Sequence, residues 1–120
     1  MITQEQQTRL AEFNRRFRIV PTSLLGRAKD LSALRPGPLT GDCQTYCRTV
    51  RNILGLKPWE SLRWRCWSKE GRIKWLPRHA VLWVKGEGWI DSTHRAFRPS
   101  PAPHRRLWPI GTPTVVALGY

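Results

Sequence analysis

The chain has 120 residues, 40% of them hydrophobic and 24% charged, enough for one domain with a core and too few for two. Lys and Arg total 21 against 8 Asp and Glu, a formal net charge of +13, which bears on partners and solubility rather than on fold. No run of about 18 apolar residues is present to span a membrane, residues 1–17 lack the apolar stretch of a secretory signal, and three cysteines without a paired CxxC motif argue against a disulfide framework, so a reducing cytoplasm is expected.

Thr3 followed by Gln6 forms a capping-box pattern, and Leu10, Phe13 and Phe17 recur at helical spacing. A first helix is expected over 3–17. Residues 18–41 read as a connector with Pro21, Gly26, Pro36, Gly37 and Pro38, with room for a short helix near 27–34. Residues 42–55 read as a second helix. Asp42 can cap it, Tyr46, Cys47, Val50, Ile53 and Leu54 make an apolar stripe, and Gly55 followed by Pro58 ends it.

The period then changes to two. In "SLRWRCWS", Leu62, Trp64 and Cys66 share one face and Arg63, Arg65 and Trp67 the other, so the arginines are expected on a solvated face. "HAVLWV" is a strong strand pattern, and "GWIDST" follows it after a glycine-containing turn. Residues 99–113 are Pro-rich, and "TVVALGY" is expected as a last strand. Two helices followed by antiparallel strands predict an α+β domain over 1–120.

Cys43 stands where the second helix begins, and the free amides and dipole there favour a thiolate. The same amides could form part of an oxyanion hole. The neighbouring carboxylate of Asp42 acts in the opposite direction, so a histidine cation would have to outweigh it. Cys47 and Cys66 fall on apolar faces and read as core. Of three histidines, His94 and His104 lie in Arg- and Pro-rich surroundings, whereas His79 opens a strand that would hold it rigidly. An orienting carboxylate must come from Glu87 or Asp91, the two that follow His79. Asp91 ends the next strand and could return to the start of this one. A symmetric turn centred on Glu87 would put Asp91 opposite Trp83, roughly 13 Å along the strand from His79. A Cys-His-Asp reading therefore requires a turn centred nearer Lys85, or a bulge at Gly86 or Gly88.

Gly41-Asp42-Cys43 at a helix start, then "HAVLWV" and "GWIDST", resembles the transglutaminase-like cysteine peptidase superfamily, with the bacterial transglutaminase-like cysteine proteinases nearest in pattern. The resemblance covers about residues 39–93. It implies a papain-like α+β core, with Cys43 as nucleophile, His79 as general base and acid, and Asp91 as orienting carboxylate. It also implies cleavage of peptide or isopeptide amides, or acyl transfer to amines, without a cofactor. Some relatives of this type bind calcium through several acidic residues; this chain has few, so no metal site is carried over.

Trp83 and Trp89 are candidates to line a substrate groove, with Arg78 beside it; core and rim are their structural alternatives. The expected partner is a protein or peptide substrate, and the charge suits an acidic one. The setting implied is the cytoplasm of a bacterial or phage-infected cell. A zinc site from Cys43, Cys47, Cys66 and His79 matches no common ligand spacing. The competing function is a non-enzymatic, basic nucleic-acid-binding or interaction protein, drawing on the +13 charge and the aromatics, or a degenerate fold of the same type.

Overall fold

A computed structural model of the chain describes residues 2–20, 39–66, 79–99 and 107–109, with backbone alone for 65, 66 and 107–109. The element order is α1 (Gln4–Arg16), β1 (Phe17–Ile19), β2 (Leu39–Gly41), α2 (Cys43–Ile53), β3 (Ser61–Cys66), β4 (His79–Val84), β5 (Gly88–Asp91) and β6 (Leu107–Pro109). The architecture is α+β: two helices and a four-stranded antiparallel sheet of order β5-β4-β3-β6, with β1 and β2 paired in parallel apart from it. The helix expected near 27–34, the strand expected at 114–120, Trp67, Arg78 and His104 lie outside the described residues. Among the described residues no helix is long and apolar enough to cross a membrane.

Both helices begin and end as local chemistry dictates. Thr3 caps α1: its hydroxyl accepts from the Gln6 amide at 3.1 Å, and the Gln6 side chain accepts from the Thr3 amide at 3.0 Å. At the end of α2, Gly55 takes φ 60°, and the amides of Gly55 and Leu56 bond back to the carbonyls of Asn52 and Arg51. That is a Schellman closure, which needs a residue tolerant of left-handed backbone.

The core forms where α1, α2 and the sheet meet. Phe13, Phe17 and Tyr46 are fully buried, with ring centroids 5.2–5.4 Å apart. Val50 and Ile53 of α2 pack with Ala80, Leu82 and Val84 of β4 and Ile90 of β5 in the same cluster. Cys47 belongs to it too, as its place on the apolar stripe requires.

Three expectations need correction. The connector begins and ends in strand: Phe17, Arg18 and Ile19 pair with Leu39, Thr40 and Gly41. Three-residue strands carry too little alternation to be seen in sequence. The Pro-rich tail likewise contributes β6, whose Pro109 is tolerated because β6 lies at the sheet's edge. Arg63 is the third. It alternates with Leu62 and Trp64 as expected, yet it is buried at 1% exposure while those two are half-buried. Arg63 pairs with Leu82, a core residue, so its side of the strand is the one that packs inward. Period two fixes which residues share a face, and tertiary packing decides which face is covered.

No hydrogen bond satisfies the Arg63 guanidinium among the described residues. Burial pushes its pKa down to about 10, with Cys47 opposing and Arg48 and Arg51 adding to the fall. A buried cation without a hydrogen bond is costly, and even buried ion pairs are often replaced by apolar side chains with no loss or a gain of about 1–4 kcal/mol. Arg63→Met is therefore expected to raise the midpoint of urea unfolding; a lowered midpoint would show that the cation is compensated in the folded protein.

Candidate active site

The Gly41-Asp42-Cys43 triplet is explained by its geometry. A Cβ on Gly41 would stand 2.6 Å from Thr45 Cγ2 and 2.7 Å from Thr45 Cβ, so nothing larger than glycine fits while Thr45 holds its place. Thr45 is held by Asp42, whose Oδ1 accepts from the Thr45 amide at 2.8 Å and the Thr45 hydroxyl at 2.9 Å. Asp42 is the N-cap of α2, and Cys43 is its first residue. The amides of Cys43 and Gln44 have no acceptor within the helix itself, as in every first turn. Cys43 is a free thiol, half-buried against the edge of the core, whereas Cys47 one turn on is buried.

The Ala80 amide donates to Cys43 Sγ at 3.3 Å, which joins the start of α2 to the start of β4. His79, the residue before, opens that strand with its side chain 14% exposed. Its Nε2 lies 3.3 Å from Asp91 Oδ2. Burial alone would lower the His79 pKa. Hydrogen bonding to Asp91, then to Cys43, and the charges of both residues outweigh burial and push it up to about 9.

The hairpin register makes this meeting geometrically feasible. Val84 pairs with Gly88, Trp83 with Trp89, Leu82 with Ile90 and Val81 with Asp91. The turn is thus centred on Gly86, not on Glu87, and Glu87 donates its amide to the Val84 carbonyl at 3.0 Å. Gly86 has φ 82°, which the third position of a type II turn requires. Asp91 stands opposite Val81, a diagonal neighbour of His79 rather than one four residues away, and side chains reach across that diagonal. Glu87, the alternative carboxylate, stays in the turn at the other end of β4.

Asp91 is fully buried and divides its oxygens. Oδ1 accepts from the amides of Thr93 at 2.9 Å and His94 at 2.5 Å, and lies 3.6 Å from His94 Nδ1. Oδ2 faces His79 and Arg98, the latter at 3.6 Å. Neither His94 nor Arg98 stood out in sequence; the Asp-Ser-Thr-His run, an Asx-type turn signal, was the available clue. The segment then returns along β5: Trp89 and Arg98 exchange backbone hydrogen bonds of 2.7 and 2.8 Å. Gly88 permits this approach, because a Cβ there would lie 2.3 Å from the Arg98 carbonyl oxygen.

Trp83 and Trp89 face each other across the hairpin, and Trp89 also meets Trp64 with centroids 5.9 Å apart. By alternation they share the sheet face of His79 and Asp91. Among the described residues no group of three or more His, Cys, Asp and Glu is placed to hold a metal ion.

A scan against protein-family models and searches of curated proteins and of solved structures found no match to this chain. What remains is the constellation itself: a half-buried thiol at a helix start, held by the amide next to His79, and an imidazole whose Nε2 lies 3.3 Å from a buried carboxylate.

The His79 linkage gives a stability prediction with a definite sign. Its pKa is about 9 folded against 6.5 for the ordinary group. The stabilisation is fully present below about pH 6.5 and is lost as pH rises through about 9. Wild type is therefore expected to lose more unfolding free energy between pH 6 and 9.5 than His79→Gln does, by a few kcal/mol at about 1.4 kcal/mol per pKa unit. Parallel pH profiles in urea unfolding would contradict the pairing.

Proposed function

We propose that the chain is a cysteine-dependent acyl-transfer enzyme of the transglutaminase-like cysteine peptidase type, acting on protein or peptide amides. The observation that carries this reading is the start of β4, where the Ala80 amide meets Cys43 Sγ at 3.3 Å and the adjacent His79 Nε2 lies 3.3 Å from Asp91 Oδ2. The order of the three also supports it: cysteine on a helix start, histidine at the start of a strand, aspartate at the end of the next. A papain-like core is the fold this reading requires, and α2 packed against β4 and β5 is consistent with it.

In the proposed reaction, Cys43 Sγ attacks the substrate carbonyl carbon while its proton is held by His79. The charge that develops on the carbonyl oxygen is met by amides at the N-terminus of α2. The C–N bond breaks as His79 delivers its proton to the leaving amine, and a thioester remains on Cys43. Water, deprotonated by His79, then attacks the thioester; the carboxylic acid leaves and the thiol is restored. An amine in place of water would give a new amide. Asp91 holds the imidazole in orientation and stabilises its charged form throughout. Trp83 and Trp89, further along the hairpin on the face of His79, are proposed to contact the substrate away from the scissile bond, and the +13 charge suits an acidic substrate. Arg78 lies outside the described residues and keeps its place in the proposal by sequence position alone.

Iodoacetamide alkylation followed by peptide mass mapping tests the site without a known substrate. Cys43 is expected to react at pH 6 at least tenfold faster than Cys47, and His79→Ala to slow Cys43 at that pH by tenfold or more. With any hydrolysable peptide, Cys43→Ala is expected to abolish turnover. Unchanged turnover in Cys43→Ala, or a Cys43 rate indifferent to His79, would sink the enzyme reading. A salt-dependent affinity for nucleic acid that survives alkylation would instead favour the non-enzymatic one.

A further inference from the structure

The segment after Asp91 is tied to a part of the molecule outside the motif-bearing stretch. Arg95 Nη1 donates to the carbonyls of Asn14 and Phe17, each at 2.8 Å, where α1 ends. Those carbonyls belong to the negative end of α1, whose last turn leaves acceptors without helical partners. Arg95 Nε donates to the Ser92 carbonyl at 2.8 Å, which curls the chain directly behind Asp91. The guanidinium lies over the rings of Phe17 and Tyr46, 5.1 and 5.9 Å from their centroids. Asn14 completes the joint: its Nδ2 donates to the Arg95 carbonyl at 3.0 Å, and its Oδ1 accepts from the Tyr46 hydroxyl at 2.5 Å. Burial pushes the Tyr46 pKa up, so that hydroxyl stays a neutral donor.

We propose that Arg95 is a positioning residue that locks the turn carrying Asp91 to the end of α1, so that the N-terminal helix decides whether Asp91 faces His79. The physical reason lies in how Asp91 is held. Its Oδ1 is fixed by amides of Thr93 and His94, and its own amide donates to the His94 carbonyl at 3.2 Å. The carboxylate can therefore rotate only if that turn moves. The turn is pinned on one side by the Trp89–Arg98 backbone pair and on the other by Arg95. Arg98 and His94 also face the carboxylate and compete with His79 for it. A loosened turn would let Asp91 swing toward them. Arginine suits this post because its planar fork serves three carbonyls and a ring face together, which lysine cannot do.

This inference deepens the proposed catalysis, yet its test reads His79 directly by NMR titration of the imidazole in the 120-residue chain. Wild type is expected to titrate near 9, and Asp91→Asn well below it. Arg95→Met is expected to lower the His79 midpoint by one unit or more while unfolding stays cooperative, with Arg95→Lys between the two. Asn14→Ala is expected to give a smaller fall of the same sign, and it serves if Arg95→Met does not fold. On a hydrolysable peptide, Arg95→Met is expected to lower kcat with little change in KM. An unshifted His79 in both Arg95→Met and Asn14→Ala, beside a shifted Asp91→Asn, would overturn the role of Arg95 alone. An unshifted Asp91→Asn would overturn the triad itself.

Discussion

The register of the β4–β5 hairpin is the constraint on which the site rests. Asp91 reaches His79 because the turn is centred on Gly86 and places Asp91 opposite Val81. Side chains alternate faces along a strand, so a slip of one residue would send Asp91 to the core side of the sheet. A slip of two in the other sense would leave it opposite Trp83, beyond reach. The register is held from both sides. Leu82, Val84 and Ile90 are committed to the core, and the positive φ of Gly86 closes the short turn.

The start of α2 solves a different problem, that of presenting a thiol without burying it. Gly41 leaves room for Thr45, Thr45 holds Asp42, and Asp42 caps the helix so that Cys43 takes its first position. From there Cys43 meets the Ala80 amide and the His79 side chain, while Cys47, one turn further, is sealed in the core. Two cysteines four residues apart share a helix face, and the rise of about 6 Å between them takes the second from the edge of the core into its interior.

Buried polarity is distributed unevenly across the molecule. Around Asp91 the carboxylate accepts from two amides and lies 3.3 Å from the His79 imidazole and 3.6 Å from the Arg98 guanidinium, and Arg95 ties the same turn to α1. Under α2, the Arg63 guanidinium is buried among Cys47, Arg48 and Arg51 with no hydrogen bond among the described residues. The first arrangement orders a site, whereas the second spends stability on a cation that local pattern would have placed in water.

Much of this was legible in the amino-acid order because it depends on neighbours in sequence. The capping box at Thr3 and Gln6, the apolar stripe of α2, the glycine at its end, the alternation of "HAVLWV" and the position of Cys43 are all local effects of backbone geometry and spacing. Short strands such as β1, β2 and β6 were not, since three residues show no period and their pairing comes from distant partners. The three residues Cys43, His79 and Asp91 could be named from sequence, but their meeting could not. Which face of β3 turned inward, where the hairpin turned, and how Arg95, His94 and Arg98 gathered around Asp91 were decided only by the tertiary structure. Each depends on contacts between segments far apart in the chain, and spacing along one segment carries no information about them.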